Sequence, residues 1–535
     1  MTFEEYKNQI LDYLKKEKEL TERDIQDHQN LSDEEKVEQG YLIKGCLVST
    51  KVDDCYELIA SENNTKLRAG DKVVIKPANG NTFIKATIVE NFFDHISIST
   101  DGNLVINAAY DIYVTEAVLL DPIIKLLEEL EDGASGSSFL EYLGNVAQPQ
   151  ESGYGSIDFD KANIPAHLND AQKDAIANVF KRPSVYCIQG PPGTGKTDVL
   201  STIAKSFSMN GKEVLVISNT HQAVNNALNK LSGQGLPVVK IGEALKAQDL
   251  SPDITLAKTY SAYLKTRGKT RRYDKGAIVG MTLHAAIINL GLRKSGFAPS
   301  LVLADEAGQI PLSMGAAIGT FGAGTIVFIG DDRQMPPIYH PDLVDDPISV
   351  SVFSHVSNLF PLLKTVLDTT YRMNTEITEY VSKCFYEPYG IKLKSFKQPK
   401  FEKSIEVISI PDNAQMNWQE YNPEEAKIAA EKALEFSQQG LEVAIVTPFR
   451  KQVNCIREFI TDIFGANNIS PLPLVDTVER LQGQDVDVII ISTSISSTLY
   501  YRQMKSFVLE PHRLNVMFSR AKEKVLVIKS DCVKL

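Results

Sequence analysis

The chain has 535 residues, of which 43 % are hydrophobic and 23 % charged, and its formal net charge is −12. That length allows about three or four domains of ~150 residues, and the composition is that of a globular chain with a large core, which excludes a disordered one. An acidic total argues against a general nucleic-acid coat but leaves room for a local basic channel, because screening confines charge effects to roughly 8–10 Å.

Residues 1–40 carry twelve acids and six bases, half of the net charge. Thr2 with Glu5, and Ser32 with Glu35, have capping-box spacing, and Phe3, Tyr6, Ile10 and Leu14 recur at helical spacing. Residues 1–39 are therefore expected to form N-terminal helices, a packing element or a docking surface for a protein partner. The opening MTFEEYKNQI lacks the basic-then-apolar order of a signal peptide. None of the six cysteines lies within three residues of another, which supports neither a zinc knuckle nor an iron–sulfur cluster. A reduced, cytoplasmic protein is expected.

Residues 40–120 read as a small β-barrel. Gly40–Ser49, Cys55–Ala60, Lys72–Ile75, Lys85–Glu90, His95–Ser99 and Asp111–Thr115 are short strand candidates separated by turn signals. Residues 121–159 read as a stalk helix and connector. Asp121 is expected to cap the helix with Pro122 at its first position, and Gly133–Gly155 reads as irregular chain.

From residue 160 onward continuous apolar runs alternate with helical segments, the pattern of parallel strands buried on both faces. A first lobe (160–345) has strand candidates Val185–Gln189, Val214–Ser218, Ala277–Gly280, Leu301–Ala304 and Thr325–Ile329. A second lobe (346–535) has Val366–Asp368, Val443–Thr447, Val486–Ser492 and Val525–Ile528. The uncharged stretch Ala307–Gly330 is long enough to raise a membrane span, but its six glycines and interspersed polar residues favour a core helix and a buried strand. No membrane association is expected.

Gly190-Pro191-Pro192-Gly193-Thr194-Gly195-Lys196-Thr197 is a complete G-x-x-x-x-G-K-[ST] between a strand and a helix. Its backbone N–H groups can curl around phosphate oxygens, Lys196 can neutralise the β- and γ-phosphates of ATP, and Thr197 can hold Mg²⁺. Leu301–Ala304 runs into Asp305 and Glu306, a second Mg²⁺ ligand and a residue placed to polarise the attacking water. Gln334, in the loop after the next strand, is placed to sense the γ-phosphate.

The ordered motifs LNDAQ (168–172), GPPGTGKT (190–197), ISNTHQAVNN (217–226), DEAGQ (305–309), GDDRQMPP (330–337), YRMN (371–374), TPFRKQ (447–452), VDTVERLQGQDVDVIIIS (475–492) and RLNVMFSRAK (513–522) resemble a superfamily 1 helicase, 5′→3′ branch, of the nonsense-mediated-decay type. They span about two thirds of the chain. The resemblance implies an α/β fold of two RecA-like P-loop lobes with parallel sheets, plus the small N-terminal β-barrel on a helical stalk. It also implies an ATP-dependent helicase or translocase on single-stranded DNA or RNA.

The resemblance assigns further roles. Gln172 would read the adenine edge and Tyr371 would stack on the adenine. Arg372 and Arg520 would act as arginine fingers, and Gly483 and Asp485 would line the nucleotide. Asn219, Thr220, Val224 and Thr282 in the first lobe, and Pro448, Phe449 and Thr477 in the second, would touch the nucleic-acid backbone. The sequence departs from the pattern in lacking a cysteine/histidine-rich zinc module before the core, and in Gly308, where a small or hydroxyl residue is more usual.

Two basic runs stand outside the motifs. Lys265–Arg272, with five bases in eight residues, reads equally as a nucleic-acid grip or a solvated loop, and Lys392–Lys403, with five lysines, reads as a solvated face. An ATP-switched clamp or interaction subunit without processive unwinding is the competing function. A phosphate-loop kinase or GTPase is disfavoured, because no guanine-reading N-K-x-D stands at a strand end and the second-lobe arginines would go unexplained.

Overall fold

The computed structural model describes residues 1–52, 55–61, 63–65, 67, 70–80, 82–91, 95–115, 120–134, 136–150, 164–242, 244–259, 261–263, 275–288, 297–413, 420–467, 470–479, 481 and 484–534. Gly483 and the basic run Lys265–Arg272 lie outside the described residues.

Both predicted capping boxes form. Thr2 and Ser32 each exchange hydrogen bonds with the glutamate three residues on, opening helices Phe3–Asn30 and Asp33–Gln39. The apolar stripe of the first helix, Phe3, Tyr6, Ile10 and Leu14, is buried in the same core cluster as strand residues Val302 and Phe328. Each such side chain contributes about 1.5–3 kcal/mol by burial. This face is therefore packed on the chain's own first lobe.

Strands β1 (Leu42–Val52), β2 (Cys55–Ile59), β3 (Lys72–Pro77), β4 (Ile84–Asn91), β5 (His95–Ser99) and β6 (Ala109–Val114) close an antiparallel barrel in the order β1-β2-β5-β4-β3-β6. Closure removes the exposed edges that a sheet of this size would leave. The barrel touches both lobes: Asp71 pairs with Lys246 of the first (2.8 Å), and Asn64 accepts from Asn454 of the second (3.2 Å).

Two expectations for residues 121–159 are corrected. Asp121 is the first helical residue of Asp121–Glu128, not its cap, and its carboxylate instead pairs with Lys18 of the first helix at 2.7 Å. The expected connector contains a helix, Ser137–Leu143, because Phe139, Leu140 and Leu143 bury against the first lobe.

The first lobe holds an eight-stranded sheet of β7 (Val185–Gln189), β8 (Val214–Ser218), β9 (Val238–Ile241), β10 (Thr255–Ala257), β11 (Ile278–Thr282), β12 (Leu301–Ala304), β13 (Thr325–Gly330) and β14 (Lys364–Val366). Their order is β10-β9-β11-β8-β12-β13-β7-β14, and every neighbouring pair is parallel. Ala307–Gly330, considered for a membrane span, is short helical turns followed by β13. Among the described residues no helix is long and apolar enough to cross a membrane.

One strand changes lobes. Of the apolar run Val366–Asp368, expected to open the second sheet, Val366 ends β14, which pairs with β7 (Val366 opposite Gln189). Leu367 is buried in the first-lobe core, so the chain leaves this sheet after residue 366 rather than near 345.

The second sheet is parallel throughout, with β15 (Ile405–Ile410), β16 (Val443–Thr447), β17 (Leu474–Thr477), β18 (Val486–Ser492) and β19 (Ala521–Ser530) in the order β15-β19-β18-β16-β17. A buried carboxylate ties the helix Pro423–Gln438 to it. Glu425 accepts from the Ser492 hydroxyl (2.7 Å), the Thr493 hydroxyl (3.2 Å) and the Ser494 N–H (2.8 Å). Burial outweighs these donors and raises its pKa to about 7. The folded chain thus holds a proton that the unfolded chain releases above the ordinary glutamate range, so stability falls as pH rises from about 4.5 to 7. We expect the urea midpoint to decline over that window, and Glu425→Gln to flatten the decline.

Candidate nucleotide site between the two lobes

Ligands of open parallel sheets collect beyond the carboxyl ends of the strands. Here β7, β13 and β12 are consecutive neighbours, so the phosphate loop after β7 and the acidic pair after β12 flank the loop after β13. Together with residues of the second lobe they line a cleft of ≈ 1470 Å³.

The phosphate loop begins on a cross-strand bond, Gly190 N–H to Gly330 O at 2.9 Å, and ends as Lys196 opens the helix Lys196–Met209. The helix N-terminus adds its partial positive charge. Lys196 Nζ donates to Gly190 O at 2.5 Å. Gly193 has φ +73°, and a Cβ there would stand 2.5 Å from Arg372 Cβ. The glycine therefore lets the second-lobe arginine segment lie directly on the loop, and Tyr371 N–H donates to Gly193 O at 2.8 Å.

Asp305 is buried, and burial, followed by the neighbouring Glu306 carboxylate, raises its pKa while Lys196 opposes the rise. A buried carboxylate beside the first turn of the Thr197 helix is a donor set that suits a dication, whose charge would favour the ionised form. Glu306 sits at φ 49°, ψ 40°, the left-handed region. A non-glycine residue there costs about 1–3 kcal/mol, and such strain clusters at functional sites.

Gly308 explains its own departure from the usual pattern. A Cβ at this position would stand 2.6 Å from Asp331 O, so the turn after β12 packs directly on the backbone of the loop after β13. Gly308→Ser should therefore cost about 1–3 kcal/mol of stability by overpacking, checked by urea denaturation; an unchanged midpoint would show that the two loops can part freely.

The second lobe brings in both predicted arginines. Arg372 Nη2 lies 2.7 Å and Arg520 Nη1 3.7 Å from the same Asp485 oxygen, and Arg372 Nη1 donates to Ser519 O at 2.9 Å. Burial, then repulsion from Arg372, lowers the Arg520 pKa to about 10. Among the described residues both guanidiniums keep a buried Nε without a partner. Two cations sharing one carboxylate leave uncompensated positive charge on the cleft wall, which fits a polyphosphate anion.

The cleft unites most of the predicted nucleotide residues. Gln172, Pro192, Gly193, Thr194, Gly195, Lys196 and Thr197 line it, as do Asp305, Glu306, Gln334, Tyr371, Arg372, Asp485 and Arg520. Gln172 uses its amide on Asn169 N–H (2.9 Å) and Thr194 O (2.9 Å). Tyr371 is half-exposed and accepts from Asn169 Nδ2 at 2.9 Å.

The expected strand contacts divide. Asn219 and Thr220 line the same cleft. Val224 and Phe449 are packed in cores, and Pro448 is buried. The Thr282 hydroxyl accepts from Ala285 N–H (3.2 Å), and Thr477 is half-exposed.

Sequence reasoning passed over several residues here. Lys397, in the run read as a solvated face, lines the cleft and pairs with the buried Glu523 at 2.9 Å, while Lys400 pairs with it at 3.0 Å. Tyr386 and Asn515 join the loop after β13 to the second lobe. The signal for Asn515 was its place inside RLNVMFSRAK; Tyr386 carried none.

Two family models, each described as an AAA domain, match residues 167–350 and 348–531. The DNA replication ATP-dependent helicase/nuclease JHS1 of Arabidopsis thaliana is 24 % identical over 89 % of this chain and 38 % of that protein. The ATP-dependent helicase NAM7 of Saccharomyces cerevisiae is 26 % identical over 68 % of this chain and 42 % of that protein. These matches support the resemblance to superfamily 1 helicases that the ordered motifs carry. Among solved structures, the Arterivirus nonstructural protein 10 (helicase) is similar at a TM-score of 0.42 and 12 % identity, covering 90 % of this chain and 78 % of that one. The chain spans less than half the length of both curated relatives named here.

Proposed function

We propose that the chain is an ATP-driven helicase or translocase on single-stranded nucleic acid, moving 5′→3′, in which hydrolysis is coupled to closure of the two lobes. The observation that carries this reading is the convergence of Arg372 and Arg520 of the second lobe on Asp485, in the cleft that the phosphate loop also lines. Guanidiniums supplied by the second lobe stabilise phosphoryl-transfer charge only when the lobes are together, so hydrolysis and lobe position are linked.

In this reading Lys196 neutralises the β- and γ-phosphates, Glu306 orients and deprotonates the attacking water, and Gln334 reports the γ-phosphate. Thr197 and Asp305 would hold Mg²⁺, whose charge would draw on the phosphate oxygens. Asn219 and Thr220, with the N–H groups opening the helix His221–Leu231, would grip the strand backbone without reading bases. We place the chain in a reducing, cytoplasmic setting, and its protein partner on the acidic outward side of the N-terminal helices.

The DNA replication helicase/nuclease among the relatives makes single-stranded DNA the first substrate to try, with RNA beside it. ATP turnover is measured with each strand over a salt titration, and strand displacement at catalytic protein concentration. The motor reading expects turnover that rises with a single strand and fades with salt, together with displaced product. Turnover indifferent to both strands would sink it, and stimulation without displacement would favour the ATP-switched clamp.

A further inference from the structure

We propose that Tyr386 and Asn515 are positioning residues that relay the state of Gln334 in the first lobe to the helix that ends at Arg520 in the second. The proposal rests on the ATP-hydrolysing reading above and deepens it. The relay is a continuous run of hydrogen bonds. Gln334 Nε2 donates to Asp331 Oδ2 at 2.8 Å, and the Tyr386 hydroxyl donates to the same oxygen at 2.6 Å. Asn515 Nδ2 then donates to the Tyr386 oxygen at 2.9 Å and to Arg333 O at 2.7 Å. Asn515 lies on the helix Pro511–Ser519, whose C-cap is Arg520.

Several features separate this run from ordinary packing. Asp331, Arg333 and Gln334 belong to the loop after β13, whereas Tyr386 and Asn515 belong to second-lobe elements, so every bond to Tyr386 or Asn515 from that loop crosses between lobes. Tyr386 has no exposed surface, and a phenylalanine would fill the same space. What the hydroxyl adds is the bridge. Tyr386 also ends a π-helical turn, Ser382–Tyr386, that continues directly from the helix Thr375–Val381. Such widened turns re-aim side chains and recur at functional sites. Beside the relay, the Arg333 guanidinium lies 3.6 Å from the Tyr389 ring centroid, a second contact across the same seam.

The consequence is mechanical. Asp331 Oδ2 has two donors, one from each lobe. When Gln334 turns its amide toward a γ-phosphate in the cleft, its bond to Asp331 weakens and that oxygen rests on Tyr386 alone. The Tyr386–Asn515 pair therefore registers the change on the helix whose end carries Arg520. Buried hydrogen-bond chains of this kind polarise one another and act as a unit.

The test uses the full chain with Tyr386→Phe, Asn515→Ala and the double variant, and reads kcat and KM for ATP with and without single-stranded poly(dT) and poly(U). We expect each single variant to lower strand-stimulated kcat about tenfold with KM moved less than about twofold, and the double variant to be no worse than either single one. Losses that multiply in the double variant, KM changing in step with kcat, or kcat unchanged in both singles would each overturn the relay. If Tyr386→Phe fails to fold, Asn515→Ala alone decides on the same kcat-against-KM split. An unsubstituted chain that does not hydrolyse ATP would remove the underlying reading, and the relay with it; a wild type that hydrolyses ATP beside variants that match it would remove the relay alone.

Discussion

Lys196→Ala is expected to lower ATP turnover by about 10²–10³-fold, the usual scale for deleting one transition-state donor, while leaving the fold intact. Among the described residues the side chain makes one hydrogen bond, to Gly190 O of its own loop, and it is half-buried at the rim of the cleft. Truncating it opens no core cavity, so the loss falls on phosphate charge rather than on packing. Steady-state turnover beside thermal unfolding checks both halves. Near-normal turnover would overturn the assignment of the cleft as the hydrolytic site, whatever the variant's stability.

Arg520→Ala should act differently. An arginine finger is worth about 10³–10⁵-fold in kcat, and its effect belongs to the transition state, so ATP binding should change far less than kcat. The geometry supports that split. Arg520 is buried at the end of its helix, and Asp485 is held more closely by Arg372 than by Arg520. Removing Arg520 therefore leaves Asp485 paired and Arg372 in place, and the ground-state cleft keeps its other cations. Equal losses in binding and turnover would mean that Arg520 holds bound ATP instead. The two variants separate the lobes' contributions: Lys196 reports the side of the cleft that carries the phosphate loop, Arg520 the side that closes on it.

The parts most legible in the sequence are those where local chemistry is sufficient. The capping boxes at Thr2 and Ser32, the phosphate loop and the acidic pair after Leu301–Ala304 each specify their own conformation through adjacent residues. The strands at Val185–Gln189, Val214–Ser218, Val443–Thr447 and Val486–Ser492 have the bounds their apolar runs imply, because a strand buried on both faces must be apolar along its whole length. Resemblance in the ordered motifs then supplied Arg372, Arg520 and Asp485, which no spacing rule would link to a loop at residue 190.

Tertiary structure decided the rest. Lys364–Val366 is a three-residue, half-buried strand, too short for periodicity to assign to a sheet; its pairing with β7 placed it in the first lobe. Ser137–Leu143 lies in a glycine- and serine-rich stretch and becomes helical because Phe139 and Leu140 find the first-lobe core. Val224 and Phe449 sit inside motifs yet point into cores, since a motif names a segment and not the direction of each side chain. Lys397 reads as a surface charge in sequence, yet folding sets it against Glu523, which is remote in the chain. The sequence by itself determined a phosphate loop, a Walker-type acidic pair and two parallel-sheet lobes, through local residue chemistry. The cleft, the shared Asp485 between two arginines and the Tyr386–Asn515 bridge came from folding alone, because each depends on contacts between residues remote in the chain.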